Sequence, residues 1–332
     1  MAKLGKIGKF AAAYVASMRL YYSFVTGIVG WIGVAYYRHM HLGALDPVGV
    51  ELDAGRQVSI LVLLFLAWGI NQIFNDFLGL EEDRINAPHR PMVTGQLHPG
   101  AALAVSGALV MATGVFVVFF LNPWALAPLS AGVVLNFVYE WAKGHGVWGN
   151  IVFGAMVSTG TIFGFMASGP FSLSSLGGNF AALVGLVFLL SAVMTYFTYF
   201  KDVEGDEAAG KRTLVVQLGL DRAGRLGLAL SLLPAVGFVG LWALGLLTLP
   251  ITPTFALLGG LAVLLQLWNA VLFFRNPMGK QAYASLSLNF RACCCSFAAL
   301  VGLLEPQLGT VLFLVTYIAI EFLFSLHSDE KA

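Results

Sequence analysis

The sequence predicts an all-α protein: a polytopic bundle of nine to ten transmembrane helices forming a single domain across residues 1–332. Three observations carry this. Hydrophobic residues make up 58% of the 332 and charged residues 11%, against roughly 45–50% and about 25% in a soluble domain. Apolar runs of about 20 residues, long enough to cross a bilayer as a helix, recur along the chain. The charges gather instead in a few connecting segments. A soluble globular fold, a disordered chain and a coiled coil are excluded. So is a nucleic-acid binder, since 18 Lys and Arg against 17 Asp and Glu leave no basic surplus.

The runs fall at residues 18–38, 57–80, 101–121, 123–141, 147–168, 180–200, 224–247, 252–274, 282–303 and 308–326. The N-terminus is basic (Lys3, Lys6, Lys9), but the first run is long enough to span and no cleavable signal is expected. The fourth run is short and joined to the third by Asn122-Pro123, and the ninth carries Asn289 and Arg291 near its start. These two are the weakest of the ten, and one of the ten is expected as a half-helix or an interfacial segment. Cys293, Cys294 and Cys295 are adjacent, which suits neither a disulfide nor zinc, and read as small buried residues of the ninth run. Tyr21-Tyr22 and Tyr36-Tyr37 fit an interfacial aromatic belt.

The connections near residues 122, 169–179 and 248–251 carry no charge. Lys3, Lys6, Lys9 and Arg19 lie at the start of the first run. Arg84, Arg90, Lys143, Lys201, Lys211, Arg212, Arg222, Arg225, Arg275 and Lys280 follow the even-numbered runs. The positive-inside rule therefore places the N-terminus and the even-numbered connections in the cytoplasm.

The acids mark the functional end. Asp76, Glu81, Glu82 and Asp83 lie at the end of the second run, and Asp202, Glu204, Asp206 and Glu207 follow the sixth, together eight of the chain's 17 carboxylates. Carboxylates at a membrane boundary need partners or water. Two such clusters on one face, with Lys and Arg interspersed, point to a site for a divalent metal and a phosphate. Hard oxygen ligands suit Mg²⁺, which bridges carboxylates to substrate phosphates. Asn75, Gly79 and Asp83 follow i, i+4, i+8, and Asp202 and Asp206 follow i, i+4, so helices continuing past the boundary would present each set along one face. The bland alternative is a solvated charged surface.

The stretch from Asn75 to Pro91 (NDFLGLEEDRINAPHRP), closing at Gly95, resembles the first acidic motif of UbiA-type intramembrane prenyltransferases, NDxxDxxxD with an INxPxRP-like tail. Asp202-Val203-Glu204-Gly205-Asp206, with Gly210, Thr213, Leu214 and Gly219, resembles the second, and Tyr139, Lys143 and Asn150 match a YxxxK…N pattern between them. The resemblance covers residues 15–275. It departs at Gly79, which stands where the family has its middle Asp and leaves Glu82 or Glu81 as the replacement. It also departs at Tyr199, three residues before Asp202, where an Asp is often found.

What the resemblance implies is a bundle of usually nine helices around a central cavity open sideways to lipid, with acidic loops at its cytoplasmic mouth. Those loops would hold Mg²⁺ and a prenyl diphosphate, and the isoprenyl group would pass to an aromatic or lipid acceptor. Asn75, Asp76, Asp83, Asp202 and Asp206, with Glu82 as substitute, are then the expected metal ligands. Arg84, Arg90, Lys143, Lys201, Tyr139 and Tyr199 are expected at the prenyl diphosphate, with Arg19 within reach of the same site. The catalytic set is Asp76, Asp83, Lys143, Asp202 and Asp206. The chemistry suits these residue types, because metal and cations stabilise a departing diphosphate and aromatic faces quiet an allylic cation. Two other readings compete: a cyclase of the same fold that uses no acceptor, and an ion-coupled transporter, which would hold its acids near the membrane midplane.

Overall fold

The computed structural model describes residues 5–43 and 53–327. The helices are α1 (Lys6–Met18), α2 (Ser23–Gly43), α3 (Ala54–Leu78), α4 (Leu80–Asn86), α5 (Pro99–Phe120), α6 (Leu126–Lys143), α7 (Val147–Ser168) and α8 (Asn179–Thr198). They continue as α9 (Val203–Ala208), α10 (Leu214–Leu218), α11 (Leu220–Leu230), α12 (Leu233–Ala243), α13 (Pro253–Arg275), α14 (Lys280–Leu304) and α15 (Pro306–His327). Among the described residues, nine helical stretches are long and apolar enough to cross a membrane: α3, α5, Pro123–Lys143, α7, Leu173–Ala208, the α11–α12 pair, α13, α14 and α15. The first expected span is also helical, as α2, but it carries Arg38, His39 and His41 near its end and is not among those nine.

Neither of the two suspect runs is a half-helix. The fourth is α6 with its preceding turn, and the ninth is α14, a full helix of 25 residues. The interrupted span is the seventh, where α11 ends at Leu230 and α12 begins at Leu233 with Pro234 in its first turn. Proline has no N–H to give to the carbonyl four residues back, and its ring clashes with that carbonyl.

α14 is the hub. Within its membrane-length window 94% of residues are buried, against 11% for α5 at the periphery. Small side chains make this possible: Ala292, the three cysteines, Ala298 and Ala299 are all buried against α2, α8, α13 and α15. α2 and α7 approach still more closely. A Cβ on Gly33 would run into the backbone at Thr161, and one on Gly164 into the backbone at Gly30. Lipid gives helices no hydrophobic drive to associate, so tight contact through small residues carries the packing. Beyond the membrane-length segments, a two-residue parallel pairing joins β1 (His145–Gly146) to β2 (Arg212–Thr213). It draws the end of α6, with Lys143, toward the segment that follows α9.

Candidate active site

The site grows from the last turns of α3. Gln72, Asn75 and Asp76 lie three and four residues apart and share one helix face. Asp76 is 1% exposed. Its Oδ1 accepts from Arg19 Nη2 at 2.6 Å and from Gln72 Nε2 at 3.0 Å, and Arg90 Nη1 stands 3.6 Å away. Trp68 Nε1 donates to Gln72 Oε1 at 3.3 Å, which fixes the direction of that amide. The helix breaks at Gly79, but Gly79 N still donates to Asn75 O (2.8 Å) and Asp83 N to Gly79 O (3.0 Å). α4 therefore follows with Glu82 and Asp83 turned inward and Glu81 exposed. Past α4 the chain turns back, with Arg90 N donating to Ala87 O at 3.1 Å, and the Arg90 guanidinium pairs with Asp83. Gly95 has φ +77°, a left-handed conformation that side chains disfavour.

The second acidic segment comes from the end of α8. A short turn, Tyr199–Asp202, leads into α9. Asn86 clasps the two segments: its Nδ2 donates to Asp202 O at 3.2 Å, and Gly205 N donates to its Oδ1 at 2.9 Å. A Cβ on Gly205 would collide with that amide. Lys201 pairs with Asp202 at 2.8 Å, and Lys143 pairs with Asp206 at 2.7 Å. Lys211 bridges Glu82 and Glu140, the latter on α6 and outside both acidic motifs.

The cavity between these segments encloses about 770 Å³, part of it open to solvent. Its lining includes Asn75, Asp76, Glu82, Asp83, Arg90, Tyr139, Lys143, Lys201 and Asp202, all expected from the sequence, and also Arg19. Three expected residues stand elsewhere. Arg84 lies exposed on the outer side of α4, because the turn after Ala87 brings Arg90, not Arg84, back over the acids. Tyr199 and Asp206 are buried behind the lining, Asp206 beneath Lys143 and Tyr199 with its hydroxyl 3.4 Å from that of Tyr139. Gln72, Asn86, Glu140, Lys211, Thr195 and Thr198 belong to the site or its support and were not singled out by sequence. Asn150 ties α7 to α8, donating to Ala192 O at 3.1 Å.

Below the charges lies a box of rings. Tyr22 stacks on Trp68 with centroids 5.1 Å apart and meets Phe290 edge-on at 4.5 Å. Phe153 touches both Trp68 (5.9 Å) and Tyr139 (5.3 Å), and all five rings line the cavity.

Charge pairing dominates the mouth. Burial pushes the Asp83 carboxyl upward, and Arg90 opposes this without reversing it. Burial alone would lower Arg90, but the Asp83 and Asp76 carboxylates hold it above its usual range. Lys211 behaves likewise: burial lowers it, and the Glu140 and Glu82 carboxylates more than restore it. With each inner carboxylate held by a cation, no three His, Cys, Asp or Glu side chains stand grouped as a metal site among the described residues.

The UbiA prenyltransferase family model matches this chain over residues 48–292. The protein belongs to the UbiA prenyltransferase family. Such a membrane prenyltransferase acts on a prenyl diphosphate, and the acids gathered at one mouth set this chain apart from a transporter with a midplane site. A digeranylgeranylglyceryl phosphate synthase from Thermococcus kodakarensis is 28% identical over 225 residues, covering 68% of this chain and 75% of that one. The synthase of the same name from Methanopyrus kandleri is 30% identical over 228 residues, covering 65% and 79%. Among solved structures, a UbiA homologue from Archaeoglobus fulgidus bound to DMAPP and Mg²⁺ superposes with TM-score 0.65 at 15% identity, covering 91% of this chain and 99% of that one. A digeranylgeranylglyceryl phosphate synthase structure gives TM-score 0.60 at 19% identity, covering 89% and 99%. At these identities the structural likeness speaks for the shared UbiA fold.

Proposed function

We propose that this UbiA prenyltransferase binds a prenyl diphosphate with Mg²⁺ at the acidic mouth, facing the cytoplasm, and transfers the isoprenyl group to a hydrophobic acceptor. One observation carries the reading: two acidic segments far apart in sequence are clasped through Asn86 over one cavity whose floor is a box of aromatic rings. The excess of basic residues in the even-numbered connections supports the cytoplasmic orientation.

The residues fit the metal. Asn75 Oδ1 is buried with no hydrogen-bond partner among the described residues, beside Asp76 in the cavity wall. An amide oxygen next to carboxylates is a hard-oxygen donor set suited to Mg²⁺. Asn75, Asp76, Asp83 and Asp202 would hold it, with Glu82 in place of the carboxylate absent at Gly79. Mg²⁺ supplies charge stabilisation of the diphosphate as the C1–O bond breaks. Arg90, Lys143 and Lys201 line the same cavity and carry the remaining negative charge, the arginine as a fork and the lysines as point charges. Asp206 acts through Lys143, fixing its ammonium at the wall. The rings of Tyr22, Trp68, Tyr139, Phe153 and Phe290 exclude water and present π-faces to the allylic cation.

Two acceptor classes have support. The names of the matched synthases favour a glycerophosphate-type lipid. The aromatic box favours the flat aromatic acceptor expected from the sequence, since offset and edge-on ring pairs are attractive. The deciding experiment incubates purified protein in nanodiscs with Mg²⁺, geranylgeranyl diphosphate and one acceptor at a time, a monoprenyl glycerophosphate ether or a phenolic acid. Mass spectrometry should find a prenylated product with one class. No prenylated product from either, or from other prenyl diphosphates, would overturn the reading.

A further inference from the structure

A second space adjoins the acidic cavity. It is a groove of about 930 Å³, open side included, between α3, α5, α6 and α7. Trp68, Gln72 and Asn75 of α3 line both spaces, so the two adjoin along that helix. Leu63, Ile70, Leu129, Val133, Val157 and Phe163 supply apolar walls, and no charged residue among those described lines it.

Asn71, Gln72 and Asn75 add amides from α3, and one more amide stands deep in the wall of α6. Asn136 of α6 is 1% exposed, and neither its amide nitrogen nor its oxygen has a hydrogen-bond partner among the described residues. A buried amide left unpaired is unfavourable, and an apolar residue of similar size would pack there without that cost. The groove's threonines add a second signal. Thr113 donates to Leu109 O at 2.9 Å and Thr159 to Met156 O at 2.6 Å, so each hydroxyl has spent its proton and keeps only acceptor capacity. An occupant therefore meets hydroxyl oxygens that accept and the amides of Asn71, Gln72, Asn75 and Asn136, with Asn136 unpaired at both its nitrogen and its oxygen among the described residues, and no cation to pair an anion. A neutral hydroxyl matches that set. A polyprenyl tail offers Asn136 nothing, and a phosphate finds no partner.

We propose that this groove is the acceptor subsite and that Asn136 recognises a neutral hydroxyl on the acceptor. The inference rests on the prenyl-transfer reading and adds the chemistry of the second substrate. Asn136 and Lys143 are seven residues apart on α6, roughly 10 Å along the helix axis, with Tyr139 between them. A hydroxyl held at Asn136 thus stands beside the path from the diphosphate into the bundle.

The test uses the full chain in nanodiscs and two probes that differ only at oxygen, 4-nonylphenol and its methyl ether. Binding is read as a ligand-induced rise in melting temperature, which reports affinity without turnover. The wild type should bind the phenol roughly tenfold more tightly than the ether. Asn136→Leu should bind the two equally, melt above the wild type when ligand-free, and keep its Mg²⁺-dependent binding of geranylgeranyl diphosphate. Asn136→Ser, which retains a hydroxyl, serves if the leucine variant does not fold and should show a reduced preference. Equal binding of both probes by the wild type would overturn the proposal, as would a full preference surviving in either variant. Weakened diphosphate binding in Asn136→Leu with the phenol preference intact would assign the groove to the prenyl tail instead. Failure of the underlying reading is separable: a phenol preference without turnover of any acceptor sinks prenyl transfer and leaves the hydroxyl site.

Discussion

The two acidic segments look alike in sequence, each with four carboxylates beside Lys or Arg, but the structure uses them differently. In the first, Asp76, Glu82 and Asp83 are all buried and all line the cavity, and arginines from α1's end and from the motif tail hold two of them. In the second, Glu204 and Glu207 are exposed, Asp206 is fully enclosed, and Asp202 alone reaches the cavity. The break at Gly79 explains part of this, since it lets α4 turn two acids inward after Asp76. The second segment instead spends one carboxylate on holding Lys143. The first segment offers a set of oxygens, whereas the second offers one oxygen donor and one positioned ammonium.

The sharpest way to break this contrast is to remove one acid from each role. Asp76→Ala and Asp202→Ala should each lower kcat/KM by about a hundredfold or more, the scale of losing a group that stabilises transition-state charge, while the protein still inserts and binds lipid. Asp206→Asn should act on stability first, because it removes the carboxylate paired with the Lys143 ammonium and leaves only Asp202 to attract it, at a cost of about 1–3 kcal/mol in unfolding experiments. Combining it with Lys143→Ala should recover part of that loss, a non-additive cycle expected of two groups in contact. If Asp206→Asn instead abolished Mg²⁺ binding and left stability unchanged, the contrast between the segments would fail.

Smaller effects sharpen the picture. Lys143→Ala alone should raise KM for the prenyl diphosphate roughly tenfold, the worth of one charge-assisted contact, with kcat less affected. Lys211→Met leaves Glu82 and Glu140 facing each other without their shared cation. It should shift the Mg²⁺ concentration for half-maximal rate about threefold to tenfold, equivalent to roughly 1 kcal/mol, in a titration at fixed diphosphate. Arg84→Ala should change turnover less than twofold, as expected for an exposed side chain away from the cavity.

The apolar periodicity made the helices legible, and every expected run is helical in the structure. What the sequence left open was which span is interrupted. Asn289 and Arg291 drew attention to the ninth run, yet Asn289 is satisfied within the bundle, accepting from Asn269 and donating to Met194 O. Pro234, an ordinary proline in an apolar run, broke the seventh. The cavity acids were legible because carboxylates are scarce and clustered. Arg84 and Arg90 were not separable, since both follow the same motif and only the reversal at Ala87 decides which one turns inward. Glu140 and Lys211 lie 71 residues apart, and each alone reads as a boundary charge. Their pairing depends on the β1–β2 contact, which two residues per strand cannot announce in a sequence. Asn136 and Gln72 were hidden for a different reason: a single amide within an apolar span has no pattern, and its meaning comes from the wall it joins.

The most direct test is Mg²⁺-dependent pyrophosphate release from geranyl, farnesyl and geranylgeranyl diphosphates, measured with and without acceptor, for the wild type and Asp76→Ala. The account predicts release that needs both Mg²⁺ and an acceptor in the wild type and is lost in the variant. Equal release without any acceptor, yielding a cyclic hydrocarbon or alcohol, would contradict transfer and make the protein a cyclase built on the same fold.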